Sequence, residues 1–344
     1  MADRVIVRQG TRDTLFVGPD GSPAVGEGPA PLDAAVLEVS GGYLGWSVLA
    51  GQRFPVAVID DADTAQEWIW AVYGAGIALA VDEFGGAPVE LPPDPGLPAL
   101  VDTARKLGYA HWAARWWPAS TLDGITPLDE LLLDAEIATL TAECDLLVDG
   151  ADAIIPIVDD RLDGPAQRPG AARAEDYALA AGPVTAADAL VLARGVGGWD
   201  WRRCPPGLVD ASERALSWEV RRRSGATTIR ITAVAAPRLR TAVPPHLHPH
   251  AVVRTPAATA AAELILTGDT WTAEAPAPAQ AESGVTVEIL MPGVGTPETA
   301  DLDGARIRRQ LREFAVARLR TAAQDPGDDL LLAEIAAAAT DTDF

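Results

Sequence analysis

Between residues 150 and 183 the chain loses the apolar periodicity that it carries on either side, and this interruption limits what it can fold into. The interval is rich in Asp, Gly, Pro and Ala, and Asp159-Asp-Arg-Leu-Asp-Gly-Pro-Ala-Gln-Arg-Pro-Gly170 is its loosest part. Domain boundaries fall in stretches of this kind. At 344 residues the chain also exceeds the size at which a single hydrophobic core stops growing. Three segments are expected: an acidic domain over 1–150, a loose connection over 151–183, and a β-rich domain over 184–344 closed by an arginine-bearing C-terminal helix. The fold class is an α+β multidomain one, with an α/β first half and an antiparallel, β-sandwich-like second half ending in helices.

The first half alternates strand-like and helix-like segments. Val5–Val7, Leu15–Val17 and Val36–Val39 read as short strands, and Leu44–Leu49 with Pro55–Ile59 as a hairpin around Gly51. Asp63-Thr-Ala-Gln66 has capping-box spacing, with Trp68, Ile69, Val72 and Tyr73 following on helical spacing. After the proline-rich loop Leu91–Pro98 two helices are expected. The first covers about 99–117 and stops before Pro118, with Leu97, Leu100, Val101, Ala104, Leu107 and His111 on one side. The second begins at Thr126-Pro127 and buries Leu133, Ile137, Leu140, Cys144 and Leu147.

Past the interruption, a short helix over 185–194 gives way to β patterning. Strands are expected at 216–220, 227–234, 251–254, 262–266 and 285–291, because Ile229/Ile231/Ala233 and Val285/Val287/Ile289/Met291 alternate at period two. Residues 273–281 read as an Ala-Pro loop. A helix over 304–323 turns Ile307, Leu311, Phe314, Ala315 and Leu319 inward, and a short helix over 328–339 follows.

With 48% hydrophobic residues the chain can bury sizeable cores. Its net charge of −22 is unevenly divided: residues 1–170 hold 27 Asp/Glu against 9 Arg/Lys, and residues 171–344 hold 22 against 18. So negative a field repels phosphate backbones, so nucleic acid is not an expected partner. The opening residues lack the apolar stretch of a signal peptide, and the longest apolar run, 68–81, is too short to span a bilayer. No membrane association is expected, and the expected location is cytoplasmic. The Ala/Arg/Asp/Gly/Pro bias with almost no lysine points to a high-GC, actinobacterial genome.

Catalytic residue types are scarce. There are two cysteines, Cys144 and Cys204, four histidines, and one lysine, Lys106, against 26 arginines. Three of the histidines lie in His246-Leu-His248-Pro-His250. On a regular strand these three would share a face, and imidazoles two apart can share a zinc ion. Pro244, Pro245 and Pro249 favour polyproline II instead, whose period of three turns the rings apart. His246, His248 and His250 are thus the metal candidates, within what reads as a surface connection, and no cofactor is expected. Gly293-Val-Gly295-Thr-Pro-Glu298 departs from a dinucleotide fingerprint at Glu298 and Pro297. The clusters Asp60/Asp61/Asp63, Asp159/Asp160/Asp163 and Asp301/Asp303 lack the calcium-loop pattern. A hydrolase whose carboxylates converge between the two halves is the alternative reading.

The aromatic residues point elsewhere. Tyr109 and Trp116 lie opposite the core stripe of the helix after Pro98; Trp112 flanks that stripe and Trp117 lies on the polar side. Trp199-Asp-Trp201-Arg-Arg203 repeats aromatics beside arginines. Such surfaces are covered by another layer of the same domain or by a partner, since Trp, Tyr and Arg anchor interfaces. The C-terminal helix carries Arg306, Arg309, Arg312 and Arg320, which complement an acidic surface within the chain or on a partner.

His111-Trp-Ala-Ala-Arg-Trp-Trp-Pro-Ala-Ser120, then Asp123-Gly-Ile and the Leu-rich helix from Leu128, resembles a stretch of actinobacterial accessory proteins. Gly198–Gly207 and Leu332–Phe344 share that resemblance. Some of those proteins belong to ternary systems of MoxR-type AAA+ ATPases and von Willebrand A domain proteins. The resemblance implies an accessory component working with an AAA+ ATPase or a von Willebrand A domain protein, and maps no catalytic residue onto this chain; the scarcity of catalytic residue types makes a non-enzymatic adaptor the expectation. Protein–protein assembly in a multi-component system is the function expected.

Overall fold

Five buried residues in register, Val7, Val17, Ala57, Leu44 and Leu37, tie five strands of the first half into one apolar face. In the computed structural model, which describes residues 4–11, 13–19, 31–147, 190–239, 243–277, 284–294 and 304–341, the chain is a mixed α+β protein. The strands β1 (Val5–Gln9), β2 (Leu15–Pro19), β3 (Ala34–Val39), β4 (Gly42–Ser47), β5 (Val56–Ile59) and β6 (Val89–Leu91) form a sheet of order β3-β4-β5-β2-β1-β6. Every pairing in it is antiparallel. The other face carries a smaller cluster of Phe16, Val56 and Val58, flanked by Ile6 and Tyr43.

Helices α1 (Ala62–Tyr73), α2 (Ala75–Asp82), α3 (Pro98–Trp116) and α4 (Glu130–Glu143) complete this half. Indole and phenol hydrogen bonds fix two of them. Trp68 Nε1 donates to the Ser40 carbonyl at 2.7 Å, Tyr73 Oη to Pro55 at 3.1 Å and Trp112 Nε1 to Leu32 at 2.8 Å. The stripe Val101, Ala104, Leu107 and Ala110 of α3 is buried, as the periodicity requires, whereas Leu97 and His111 are exposed.

Two helix starts differ from expectation. Asp61, not Asp63, caps α1: its carboxylate accepts from Thr64 N at 3.2 Å and from Thr64 Oγ1 at 2.8 Å. The side-chain and backbone bonds from Thr64 hold it below the usual carboxylate range. The cap of α4 is Asp129, which accepts from Leu131 N at 3.0 Å and Leu132 N at 3.1 Å. The expected start at Thr126-Pro127 is overridden because Trp117 Nε1 holds the Thr126 carbonyl at 2.9 Å and Ser120 bridges Ile125.

The second half contains two antiparallel sheets in a sandwich-like arrangement. One has order β12-β13-β9-β8-β7, from β7 (Leu190–Gly197), β8 (Leu216–Arg223), β9 (Ala226–Val234), β12 (Ile265–Thr267) and β13 (Thr270–Pro276). The other, β11-β10-β14, comprises β10 (His250–Arg254), β11 (Thr259–Glu263) and β14 (Thr286–Leu290). Leu216, Val220, Ile229, Ile231, Ala233 and Trp271 share the buried face of the first sheet, and Ala251, Val253 and Ile289 are buried in the second. Period-two alternation fixes the register, since a slip by one residue would expose every one of these side chains.

Three expectations are corrected here. Residues 190–197 form a strand rather than the end of a helix, because pairing along β8 outweighs the helical tendency of Leu190 to Arg194. Residues 270–276 form β13, paired with β9 in seven register positions, where an Ala-Pro loop was expected from 273; Pro276 sits at the strand end, where proline is tolerated. Residues 262–266 divide between β11 and β12 at the buried Leu264. The expected connection over 151–183 lies outside the described residues.

Helices α5 (Gly304–Gln324) and α6 (Leu332–Asp341) follow the sheets. Compact packing divides the chain into two units, each discontinuous in sequence. One comprises Met1–Arg115, Leu128–Ile157 and Ala317–Phe344, and the other Trp116–Pro127 and Val158–Val316. Among the described residues no helix is long and apolar enough to cross a membrane.

Candidate interaction surface

Within the second unit, the buried carboxylate of Asp210 pins the 117–126 loop. Oδ1 accepts from Ser120 Oγ at 2.6 Å and Ser212 N at 3.0 Å, and Oδ2 from Thr121 N at 2.7 Å. Burial pushes this carboxyl above its usual range, and the donors pull against it. Ser120 is itself buried and its hydroxyl also accepts from Asp123 N at 2.9 Å, so the pair is a loop clip rather than a nucleophile and its base. Beside it, Glu213 Oε1 accepts from Arg308 Nε at 2.7 Å and Arg312 Nη1 at 3.2 Å. Burial alone would raise the Glu213 carboxyl, but the two guanidinium groups hold it below its usual range.

The first unit has its own polar network. Glu334, fully buried, accepts from Tyr109 Oη at 2.7 Å, from Arg318 Nε at 2.8 Å and Nη2 at 2.6 Å, and from Leu331 N at 2.8 Å. The Arg318 guanidinium lies 4.8 Å from the Tyr109 ring centroid, within cation–π range. Burial and the Glu334 charge push the Tyr109 hydroxyl well above its usual range. One turn earlier on α3, Lys106 Nζ lies 3.0 Å from Glu136 of α4, whose other oxygen accepts from Leu332 N at 2.7 Å. These groups therefore hold α6 against α3 and α4.

Both thiols are withdrawn from solvent. Cys144 and Cys204 are free and buried, and burial pushes each up to about 12. Among the histidines, His246 lies in the 3₁₀ turn Pro245–Leu247 and His250 begins β10. His248 Nδ1 lies 2.7 Å from Glu263 Oε1 and Nε2 3.1 Å from the Val243 carbonyl, with the ring edge-on to Trp271. Both nitrogens of His248 are thus engaged, and the 3₁₀ turn replaces the polyproline II segment expected. Among the described residues no group of three or more His, Cys, Asp and Glu is arranged to hold a metal.

Of the aromatic residues singled out in the sequence, Trp112, Trp117, Trp199 and Trp201 are buried and cannot serve as docking anchors. The reason is the indole N–H, which finds a backbone carbonyl in each of the first three; Trp199 Nε1 donates to Cys204 at 2.7 Å. Tyr109 and Trp116 are half-buried, with Tyr109 held by Glu334. On α5, Arg306, Arg309 and Arg320 face solvent, and Arg306 donates to Gln310 at 2.9 Å. Arg312 instead lies inward, 3.4 Å from Asp123. The arginines most engaged with carboxylates are Arg308, Arg312 and Arg318, which share the inward face with Leu311 and Ala315.

An exposed aromatic lies where the sequence pattern was read only for its core face. Trp70 is off the Trp68/Ile69/Val72 stripe of α1 and is 42% exposed. The segment after β6 runs along the end of this helix: Asp94 N donates to Tyr73 at 2.9 Å, Gly96 N to Trp70 at 3.2 Å and Leu97 N to Ala71 at 3.0 Å. A Cβ on Gly96 would lie 2.6 Å from the Trp70 ring, so any other residue here would push the indole from its place. Leu97, the next residue, is 41% exposed. The helical wheel carries the signal, because residue 70 lies about two residues, roughly 200°, from residue 68. A second set, Leu131, Leu132 and Leu332, is exposed near the Glu136 carboxylate, with Leu131 80% open to solvent.

Comparison of the chain with family models, with curated proteins and with solved structures gives no match in any of the three.

Proposed function

We propose that this protein is a protein–protein assembly component of a cytoplasmic multi-protein system, and that it docks through the Trp70–Leu97 surface. The observation that carries the reading is the half-exposed indole of Trp70, set against Gly96, with the exposed Leu97 next in the chain. A tryptophan so held presents a large apolar area at little entropic cost, which is the property of interface anchors. The buried charged groups of both units support the reading, since they are engaged in clips that order loops and helix ends. The resemblance of the 111–120 stretch to accessory proteins makes an AAA+ ATPase or a von Willebrand A domain protein the first partner to try.

Cross-linked complexes recovered from the native host with the wild-type chain and with a Trp70→Ala/Leu97→Ala variant test this reading. A partner retained by the wild type and lost from the folded variant is the expected result. Equal recovery by both would overturn the assignment of this surface.

A further inference from the structure

The stretch of chain that carries Trp70 is charged with one sign only. From residue 54 to residue 104 the chain holds nine Asp and Glu and no Arg, Lys or His. Asp63, Glu67 and Trp70 recur at four- and three-residue steps on α1 and so share one stripe, and all three are exposed. Asp94 is exposed as well and is tied by its backbone to Tyr73, three residues past Trp70. Trp70 therefore lies in a 51-residue stretch whose charged side chains are all carboxylates, and it shares a stripe of α1 with two of them, Asp63 and Glu67.

We propose that the occupant of this surface is a basic, amphipathic segment of a partner protein, with arginine or lysine flanking apolar side chains. The inference rests on the assembly reading above and adds the partner's chemistry to it. An apolar partner surface with acidic flanks would be repelled by Asp63, Glu67 and Asp94, and a neutral one would leave their field unused. A basic helix instead places leucines against Trp70 and Leu97 while its cations reach these carboxylates. Such pairs act mainly on the association rate and its dependence on salt.

Three fluorescein-labelled peptides of about 15 residues, titrated against the full-length chain by anisotropy, separate the possibilities. One carries leucine at helical i, i+3, i+4, i+7 spacing with arginine between; a twin replaces arginine by glutamine; the third keeps arginine and replaces leucine by serine. The leucine–arginine peptide is expected to bind at least about tenfold more tightly than either control, and Trp70→Ala/Leu97→Ala to lose about tenfold for it. A triple variant, Asp63→Asn/Glu67→Gln/Asp94→Asn, which leaves the apolar contact intact, should weaken it about threefold or more and flatten its salt dependence. If the glutamine twin binds as tightly as the arginine peptide and loses equally with Trp70→Ala/Leu97→Ala, docking stands and the basic partner is refuted. If no peptide responds to Trp70→Ala/Leu97→Ala in a variant with wild-type circular dichroism, the surface and the partner are refuted together.

Discussion

Replacing Glu334 by glutamine removes one charge from a fully buried carboxylate that accepts four hydrogen bonds. Two of these come from Arg318, whose side chain is only 16% exposed and whose second carboxylate, Asp329 at 3.1 Å, is largely open to solvent. Glutamine offers one acceptor oxygen in place of two and turns an NH₂ toward groups that are themselves donors. Breaking a buried ion pair by removing one partner costs about 3–5 kcal/mol, and the retained Asp329 puts this site near the lower end, about 3 kcal/mol. Tyr109→Phe removes the 2.7 Å bond to the carboxylate, with the hydroxyl's interaction with Arg318, and should cost about 1.5 kcal/mol. The two changes should not add, because both act on one carboxylate; a coupling of about 0.5–3 kcal/mol is expected from the double-mutant cycle. Urea unfolding supplies the total, and hydrogen exchange over α6 shows whether the loss is local to the helix that Glu334 anchors. A pair of apolar replacements, Glu334→Leu with Arg318→Met, should recover most of the stability that the glutamine variant loses. A cost below about 1 kcal/mol for Glu334→Gln would mean that water reaches the carboxylate, and would refute the reasoning.

Other consequences can be checked more quickly. Glu213 has its carboxyl lowered in the fold, so its pairs with Arg308 and Arg312 stabilise above the unfolded value of 4.5 and the contribution is lost as pH falls below that; Glu213→Gln should flatten the acid limb of the stability curve. Arg312→Gln should destabilise by about 2 kcal/mol or more through this same site, whereas Arg306→Gln, Arg309→Gln and Arg320→Gln, all exposed, should each stay within about 0.5 kcal/mol. Gly74 has φ +96° and a Cβ there would meet the Asp94 carbonyl at 2.0 Å, so Gly74→Ala should lower Tm and raise exchange at the α1–α2 junction. Both thiols should resist iodoacetamide at pH 8 in the folded chain and react once urea unfolds it, in mass spectra.

Much of the fold was legible because period-two and helical apolar stripes carry most of the burial energy. The Ile229/Ile231/Ala233 alternation and the Val101/Ala104/Leu107 stripe are both buried as the pattern requires. Helix starts were less legible, since Asp61 and Asp63, or Thr126 and Asp129, are chemically similar caps whose choice depends on partners distant in sequence. Strand β13 was obscured by Ala and Pro, residues poor in β propensity, and its pairing with β9 is a tertiary effect. The aromatic surface was misplaced for a related reason. A tryptophan on the polar side of a wheel looks exposed until a backbone carbonyl is found within reach of its indole, and Leu32 supplies that for Trp112 from eighty residues away. Trp70 offers only its wheel position, and Gly96 becomes meaningful only when the loop lies along the helix.

Lys106 is the single side-chain amine of the chain, and its ammonium lies between the Glu136 carboxylate at 3.0 Å and the Asp328 carbonyl at 3.1 Å. Amine-directed reagents therefore have one lysine to find, and acylating it neutralises the cation that faces a carboxylate only 6% exposed. A dye, biotin or surface linker attached by that chemistry would report on a chain whose C-terminal helix has lost one of its fastenings. Labels for the peptide titrations belong on the peptide, or on a cysteine introduced at an exposed position such as Gly85, where added atoms meet nothing.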